Sequence, residues 1–202
     1  MKLEQLGERG IIRKLGEIFG ESAIEDDCAI LSVNERYFML FTTDTINQKE
    51  HIPFTATPWQ IGYYACAVNL SDIAAKGGEP RGLLFATTYP RDTDMKFVME
   101  IARGMADCAA VYGAAVLGGD TKEGESLTIS GMAIGRVHRS MLMRRKGAKP
   151  GDAVYITGTI GRGGTAYIKL LHGYEQKTAT KELLEIAPRV TLARQIARLG
   201  VV

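Results

Sequence analysis

Apolar residues first recur at helical spacing over residues 4 to 19, where Leu6, Ile11, Ile12, Leu15 and Ile18/Phe19 gather on one side and Gly20 ends the run. After the acidic stretch Glu25-Asp26-Asp27 the period changes. Cys28 to Val33 and Tyr37 to Thr43, rich in β-branched and aromatic residues and separated by Asn34-Glu35-Arg36, predict two strands joined as a hairpin. Helical spacing returns from Pro58 to Ala75, with Pro in the first turn and Gly77-Gly78 and Pro80 as stop signals. A strand over Leu83 to Tyr89 precedes a second long helix, capped by Asp92 or Thr93, whose apolar positions Val98, Ile101, Ala102, Met105, Ala109 and Tyr112 keep a 3.6 period to Gly113. Strands over Ala114 to Leu117 and Leu127 to Val137 complete this part.

Charge, Gly and Pro then break the pattern at Arg145-Lys146-Gly147-Ala148-Lys149-Pro150-Gly151-Asp152. A domain boundary is expected there, giving an N-terminal domain over 1–146 and a second over 147–202. The second would begin with a strand, Ala153 to Thr157, followed by a Gly-rich turn, a helix near Gly163 to Leu171, and a helical stretch interrupted by Pro188 and ending at Gly200. Val201-Val202 reads as the start of a strand, so the second domain is expected to be truncated.

Composition removes several function classes. At 46% hydrophobic and 24% charged residues the chain has ordinary globular values. A net charge of +2 lacks the concentrated basic excess that neutralises a nucleic-acid backbone, so nucleic acid is not expected as a partner. Apolar stretches such as Tyr37 to Phe41 and Leu83 to Ala86 fall far short of the ~20 residues a membrane span needs. Met1-Lys2-Leu3-Glu4-Gln5-Leu6 lacks the apolar core of an export signal, and a cytoplasmic location is expected. Cys28, Cys66 and Cys108, odd in number and without CxxC spacing, read as buried small hydrophobes.

Four carboxylate positions carry the candidate chemistry. Asp72 falls on the same helical stripe as Ile61, Ala65 and Val68, the stripe expected to be buried. A buried carboxylate is normally paired, hydrogen-bonded or metal-bound, although an ion pair or a helix end tilting into water produces the same pattern. Thr42-Thr43-Asp44-Thr45 puts one carboxylate and three hydroxyls at the end of an apolar strand, a supply of hard oxygen ligands for Mg²⁺, or else a capped turn. Leu117-Gly118-Gly119-Asp120-Thr121 repeats strand, glycines and Asp, which allows close approach to a phosphate or merely a tight turn. Of Asp26-Asp27, one could ligate while the other is solvated. Carboxylates brought together repel unless a cation neutralises them, and phosphate-bound Mg²⁺ is a common reason to assemble them. Arg145 can add a positive contact to a polyphosphate. No P-loop, dinucleotide fingerprint, nucleophile elbow or zinc spacing is present.

Asp26-Asp27-Cys28-Ala29, Thr42-Thr43-Asp44-Thr45, the run from Ala67 to Ala75, Gly118-Gly119-Asp120-Thr121 and the run from Arg145 to Asp152, in this order, resemble the thiamine-monophosphate kinase family. Aminoimidazole ribonucleotide synthetase, selenophosphate synthetase and the hydrogenase-maturation dehydratase belong to the same superfamily. The resemblance implies an α+β fold: an N-terminal mixed-sheet domain of the aminoimidazole ribonucleotide synthetase type that dimerises by joining sheets, followed by the start of an α/β C-terminal domain. By resemblance, Asp27, Thr42, Thr43, Asp44, Asp72 and Asp120 would bind Mg²⁺, with Asp44, Asp72 and Asp120 as the catalytic set. Gly119, Asp120 and Arg145 would contact ATP, and His51 would lie at the thiamine phosphate. The implied reaction is direct Mg²⁺-assisted transfer of the γ-phosphoryl of ATP to thiamine monophosphate, giving thiamine diphosphate. The acceptor is itself a phosphate with a second pKa of about 6, so no protein base is required. Another ATP-using member of the superfamily, or a noncatalytic nucleotide-binding or dimerisation module, are the competing readings.

Overall fold

The computed structural model describes residues 3–20 and 23–200. Val201-Val202, expected to open a strand, lies outside the described residues. A five-stranded mixed sheet forms the centre, in the order β1-β2-β5-β3-β4. Its strands are β1 (Ala29–Ser32), β2 (Tyr37–Asn47), β3 (Glu79–Tyr89), β4 (Val116–Glu123) and β5 (Thr128–His138). Antiparallel ladders join β1 to β2, β2 to β5 and β5 to β3, and β4 alone runs parallel to its neighbour β3.

Two helices cover one face. In α3 (Pro58–Ala75), Thr57 and Gln60 form a reciprocal capping box and Pro58 occupies the first turn. α4 (Met95–Val111) is capped by Asp94, two residues later than Asp92. Toward these helices the strands present Leu40, Leu83, Phe85, Ile129, Ala133 and Val137, which join Leu70, Ile73, Ile101 and Cys108 in one core. The expected single stripe on α3 is too narrow a description. Leu70 and Asn69 are as buried as Ile61 and Ala65, because α3 has the sheet on one side and α4 on the other.

The sheet's other face carries Leu31, Met39, Phe41, Leu84, Met132 and Ile134, the residues alternating with the core-facing set. None of them belongs to the buried core, and Leu31 is 59% exposed.

Before the sheet stand α1 (Gly7–Phe19) and, after β2, the short α2 (Gln48–His51). Three more helices follow the sheet: α5 (Arg162–Leu171), α6 (Gln176–Leu184) and α7 (Val190–Leu199), the last two separated at Pro188 as the sequence indicates. Val190, Ala193 and Ala197 of α7 pack with Ala74 and Met143 as a small second core. The expected strand over 153–157 is not formed. These residues make no ladder with any described strand, and Val154 and Tyr155 are about nine-tenths exposed. An isolated strand has nothing to satisfy its backbone groups except water. Among the described residues, no helix is long and apolar enough to cross a membrane. All three cysteines are buried and free.

Candidate nucleotide and metal site

Two of the expected strand ends are strand interiors. β2 continues through Thr42-Thr43-Asp44-Thr45 to Asn47, because threonine suits a pleated strand and an eleven-residue ladder with β5 runs its full length. Gly118, Gly119 and Asp120 likewise lie within β4. A Cβ on Gly119 would stand 1.8 Å from the Phe85 carbonyl oxygen, so the glycine there admits a close strand pairing.

Alternation along β2 turns Leu40, Thr42, Asp44 and Ile46 toward α3 and Thr43 and Thr45 away. Asp72, near the end of α3, meets that row. Thr42 Oγ1 donates to Asp72 Oδ2 at 2.6 Å. One turn earlier Asn69, fully buried, accepts from the Asp44 amide at 3.2 Å and donates to Ala65 O at 2.9 Å. Gly131 lies opposite Asp44 in the ladder, and a Cβ there would come 2.4 Å from Asn69 Nδ2, so its absence makes room for the amide.

At the other side of Asp72 the Asp26-Asp27 pair approaches the end of α3. Lys76, almost completely buried, forms ion pairs with Asp26 and, at 2.8 Å, with Asp27. Arg145 pairs with Asp27 from solvent. Asp26 is therefore not the solvated member of the pair that the sequence suggested. It is held by Lys76, the C-cap residue of α3 directly before the Gly77-Gly78 stop, where a cation also favours the carboxyl end of the helix.

Electrostatics divides these carboxylates into two kinds. For Asp27, burial pushes the pKa up, but hydrogen bonds and charge from Lys76 and Arg145 outweigh it and hold the carboxyl below its usual value. Asp72 is raised, mainly by burial, with the charges of Asp44 and Asp27 adding and the Thr42 hydrogen bond opposing. Asp44 is raised by burial, with His51 opposing. At Asp44 and Asp72 the fold thus compensates the negative charge only in part, the condition a cation would relieve. Cys28, at the same place, is pushed up to about 12 by burial and then by Asp72, which leaves a neutral thiol and no nucleophile.

His51, at the end of α2, accepts from the Asn47 amide through Nδ1 at 3.1 Å. It lines a cavity of about 550 Å³ with Tyr64, Phe54, Tyr167 and Leu171. Tyr64 feels the charge of Asp44, so this cavity opens beside the carboxylate row.

Not every expected residue reaches the cluster. Thr43 donates instead to Gly131 O at 2.8 Å, on the outer side of its strand. Asp120 also stands away from Asp44 and Asp72. Its neighbour Thr121 reaches the core-facing Thr87 at 3.2 Å, so Asp120 points to the sheet's opposite face, where Lys122 approaches it at 3.3 Å. Among the described residues, no three Asp, Glu, His or Cys side chains close on one point as a preformed metal site. The oxygen donors of Asp27, Asp44 and Asp72 suit Mg²⁺ in chemistry, and Thr42 adds a hydroxyl.

Residues 25–137 match the profile of the AIR synthase related protein, N-terminal domain. The chain belongs to this family. Members of similar sequence include the thiamine-monophosphate kinase of Pyrococcus horikoshii, 38% identical over 173 residues, which are 86% of this chain and 55% of the relative. The thiamine-monophosphate kinase of Escherichia coli is 38% identical over 141 residues, 70% of this chain and 43% of that protein. Among solved structures, one described as "AaThiL complexed with AMPPCP and TMP" superposes with a TM-score of 0.90 at 28% identity, covering 98% of this chain and 65% of that one. The AIR synthase related chain described here therefore spans about half the length of the curated relatives it matches. Its α+β sheet-and-helix arrangement is the fold of that family.

Proposed function

We propose that this chain is the ATP- and Mg²⁺-binding part of a kinase that phosphorylates thiamine monophosphate to thiamine diphosphate. The observation that carries the proposal is the set Thr42, Asp44, Asp72 and Asp27, buried or partly buried oxygen donors where β2 and the segment before β1 meet the end of α3, in a chain whose similar sequences include thiamine-monophosphate kinases. The division near residue 146 and the assignment of Gly119, Asp120 and Arg145 to ATP and of His51 to the acceptor phosphate belong to the same proposal.

Bound Mg²⁺ would supply charge neutralisation and alignment for the phosphates. The chain's own groups do the rest. Asp44 and Asp72 would hold the ion. Arg145, 60% exposed and already directed at Asp27, can swing to a phosphate oxygen while Lys76 keeps Asp27 in place. No protein base is needed for an acceptor that is already anionic near neutral pH.

The test is thiamine diphosphate formation from ATP and thiamine monophosphate, measured with this chain alone and extended to the length of its relatives, beside MgATP titration of both. Binding without product in the extended protein would end the acceptor assignment. Absence of MgATP binding in either form would end the site assignment.

A further inference from the structure

A further polar cavity is lined by Gly77, just past the end of α3, and by no residue of the carboxylate row. It has a volume of about 310 Å³ and sits between the ends of β2, β3 and β5 and the last turns of α7. Arg136, Arg194 and Arg198 line it together with His138, and Glu79 is the one carboxylate in its wall. Three guanidiniums against one carboxylate leave the lining with a formal charge of +2.

Glu79 arranges these cations more than it neutralises them. Arg136 Nε donates to Glu79 Oε2 at 3.2 Å, and the same guanidinium lies over the Tyr37 ring at 5.2 Å, so its terminal nitrogens remain available. Arg194 approaches the same oxygen at 3.7 Å. Arg198, one turn further along α7, makes no ion pair among the described residues. His138 Nδ1 is taken up by Ser140, accepting from its amide at 3.3 Å and lying 2.8 Å from its hydroxyl, so Nε2 is the ring nitrogen left for a ligand. Guanidiniums fixed by stacking and by a shared carboxylate lose little freedom on engaging an oxyanion, and their forked donors fit a tetrahedral phosphate. The cavity exceeds one phosphate group, which leaves room for a substituent.

We propose that this cavity is a binding site for a phosphate dianion, separate from the carboxylate row and independent of metal. Its ligand joins the sheet to α7. The inference stands on this cavity alone and does not depend on the kinase proposal.

The experiment is calorimetric titration of the whole chain in a metal chelator, with inorganic phosphate in one arm and phenyl phosphate in the other. Saturable binding of at least one probe is expected. The Arg194→Gln/Arg198→Gln double variant should lose about tenfold or more in affinity, because both side chains offer charge-assisted contacts. Asp72→Asn should bind as the wild type does. Circular dichroism of the double variant confirms its fold, since neither arginine is part of the core. Tighter phenyl phosphate than inorganic phosphate identifies an ester as the ligand; equal affinity identifies free phosphate. Unchanged affinity in the double variant overturns the proposal, as does loss of binding with Arg145→Gln instead, or no saturable binding of either probe.

Discussion

Thr42 Oγ1 and Asp72 Oδ2, 30 residues apart in sequence, are joined by a 2.6 Å hydrogen bond that fastens the centre of β2 to the last turns of α3. This bond orients a carboxylate that burial and the neighbouring Asp44 and Asp27 disfavour as an anion. Asp72→Asn keeps an oxygen to accept from Thr42 and removes the charge, and Asp44→Asn does likewise for the other raised carboxyl. Both variants should lose magnesium-dependent ATP binding while gaining up to about 1 kcal/mol in metal-free stability, a melting temperature higher by roughly 2–4 °C. Titration calorimetry and thermal melts in chelator measure the two effects. Unchanged MgATP affinity in both variants would refute the metal-site reading.

Lys76 poses the opposite case. It is buried beneath Asp26 and Asp27, so Lys76→Met leaves two carboxylates without their cation. Removal of one partner of a buried pair commonly costs ~3 kcal/mol or more. The variant should melt well below the wild type in chelator. A melting temperature within a degree of wild type would mean that water compensates these acids.

Acid stability follows from Asp27. Its folded pKa is depressed, so the stability it contributes is present above the unfolded value near 3.8 and is lost as pH falls through the lower folded value. Asp44 and Asp72, being raised, act with the reverse sign: protonation as pH falls relieves a cost in the folded state. Denaturant unfolding between pH 5 and 3 should therefore show a shallower acid loss in Asp27→Asn than in wild type. An identical slope would show that Arg145 and Lys76 do not favour the ionised form.

Much of this arrangement was legible from residue order alone. The first-turn proline and the glycine and proline terminators of α3 bounded that helix correctly, since local signals act within a few residues, and Asp72 was singled out by its place on an apolar stripe. Strand limits were less legible. The extension of β2 and β4 over threonine, aspartate and glycine depends on ladders with β5 and β3, which are nonlocal. The same holds for Lys76, whose significance lies in acids 50 residues earlier. Asp120 shows the limit most clearly, for its motif repeats the form of the Asp44 motif while the parallel register turns it to the other face of the sheet.

That difference of face can be measured. Asp44 and Asp72 interact through a shared environment, so a double-mutant cycle of their Asn variants on MgATP affinity should show strong non-additivity. Asp72 and Asp120, on opposite faces and with Asp120 61% exposed, should combine additively within about 0.5 kcal/mol. A coupling between Asp72 and Asp120 as large as that between Asp44 and Asp72 would place all three around one ion and contradict the arrangement seen in the single chain.

The face that bears Asp120 also bears Leu31, Met39, Phe41, Met132 and Ile134, an apolar surface outside the buried core, with Leu31 exposed and the others partly so. Sheets of this kind gain by burying such a face or pairing an exposed edge, and a second copy of the chain presents the same surface for a two-fold interface. A homodimer is therefore expected, with each copy's Asp120 near the interface and not beside its own Asp72. Phe41→Lys, with its Cα partners Ala29 and Ile134 on the same face, puts charge at the centre of that surface without entering the core behind the sheet. Light scattering should report a dimer for the wild type at micromolar concentration and a monomer for this variant, with little change in circular dichroism. If the wild type is monomeric, or if the variant stays dimeric, the uncovered face is not where two copies meet. In that event Asp120 would have no second chain to complete its surroundings, and its part in nucleotide binding would have to be sought within a single protomer.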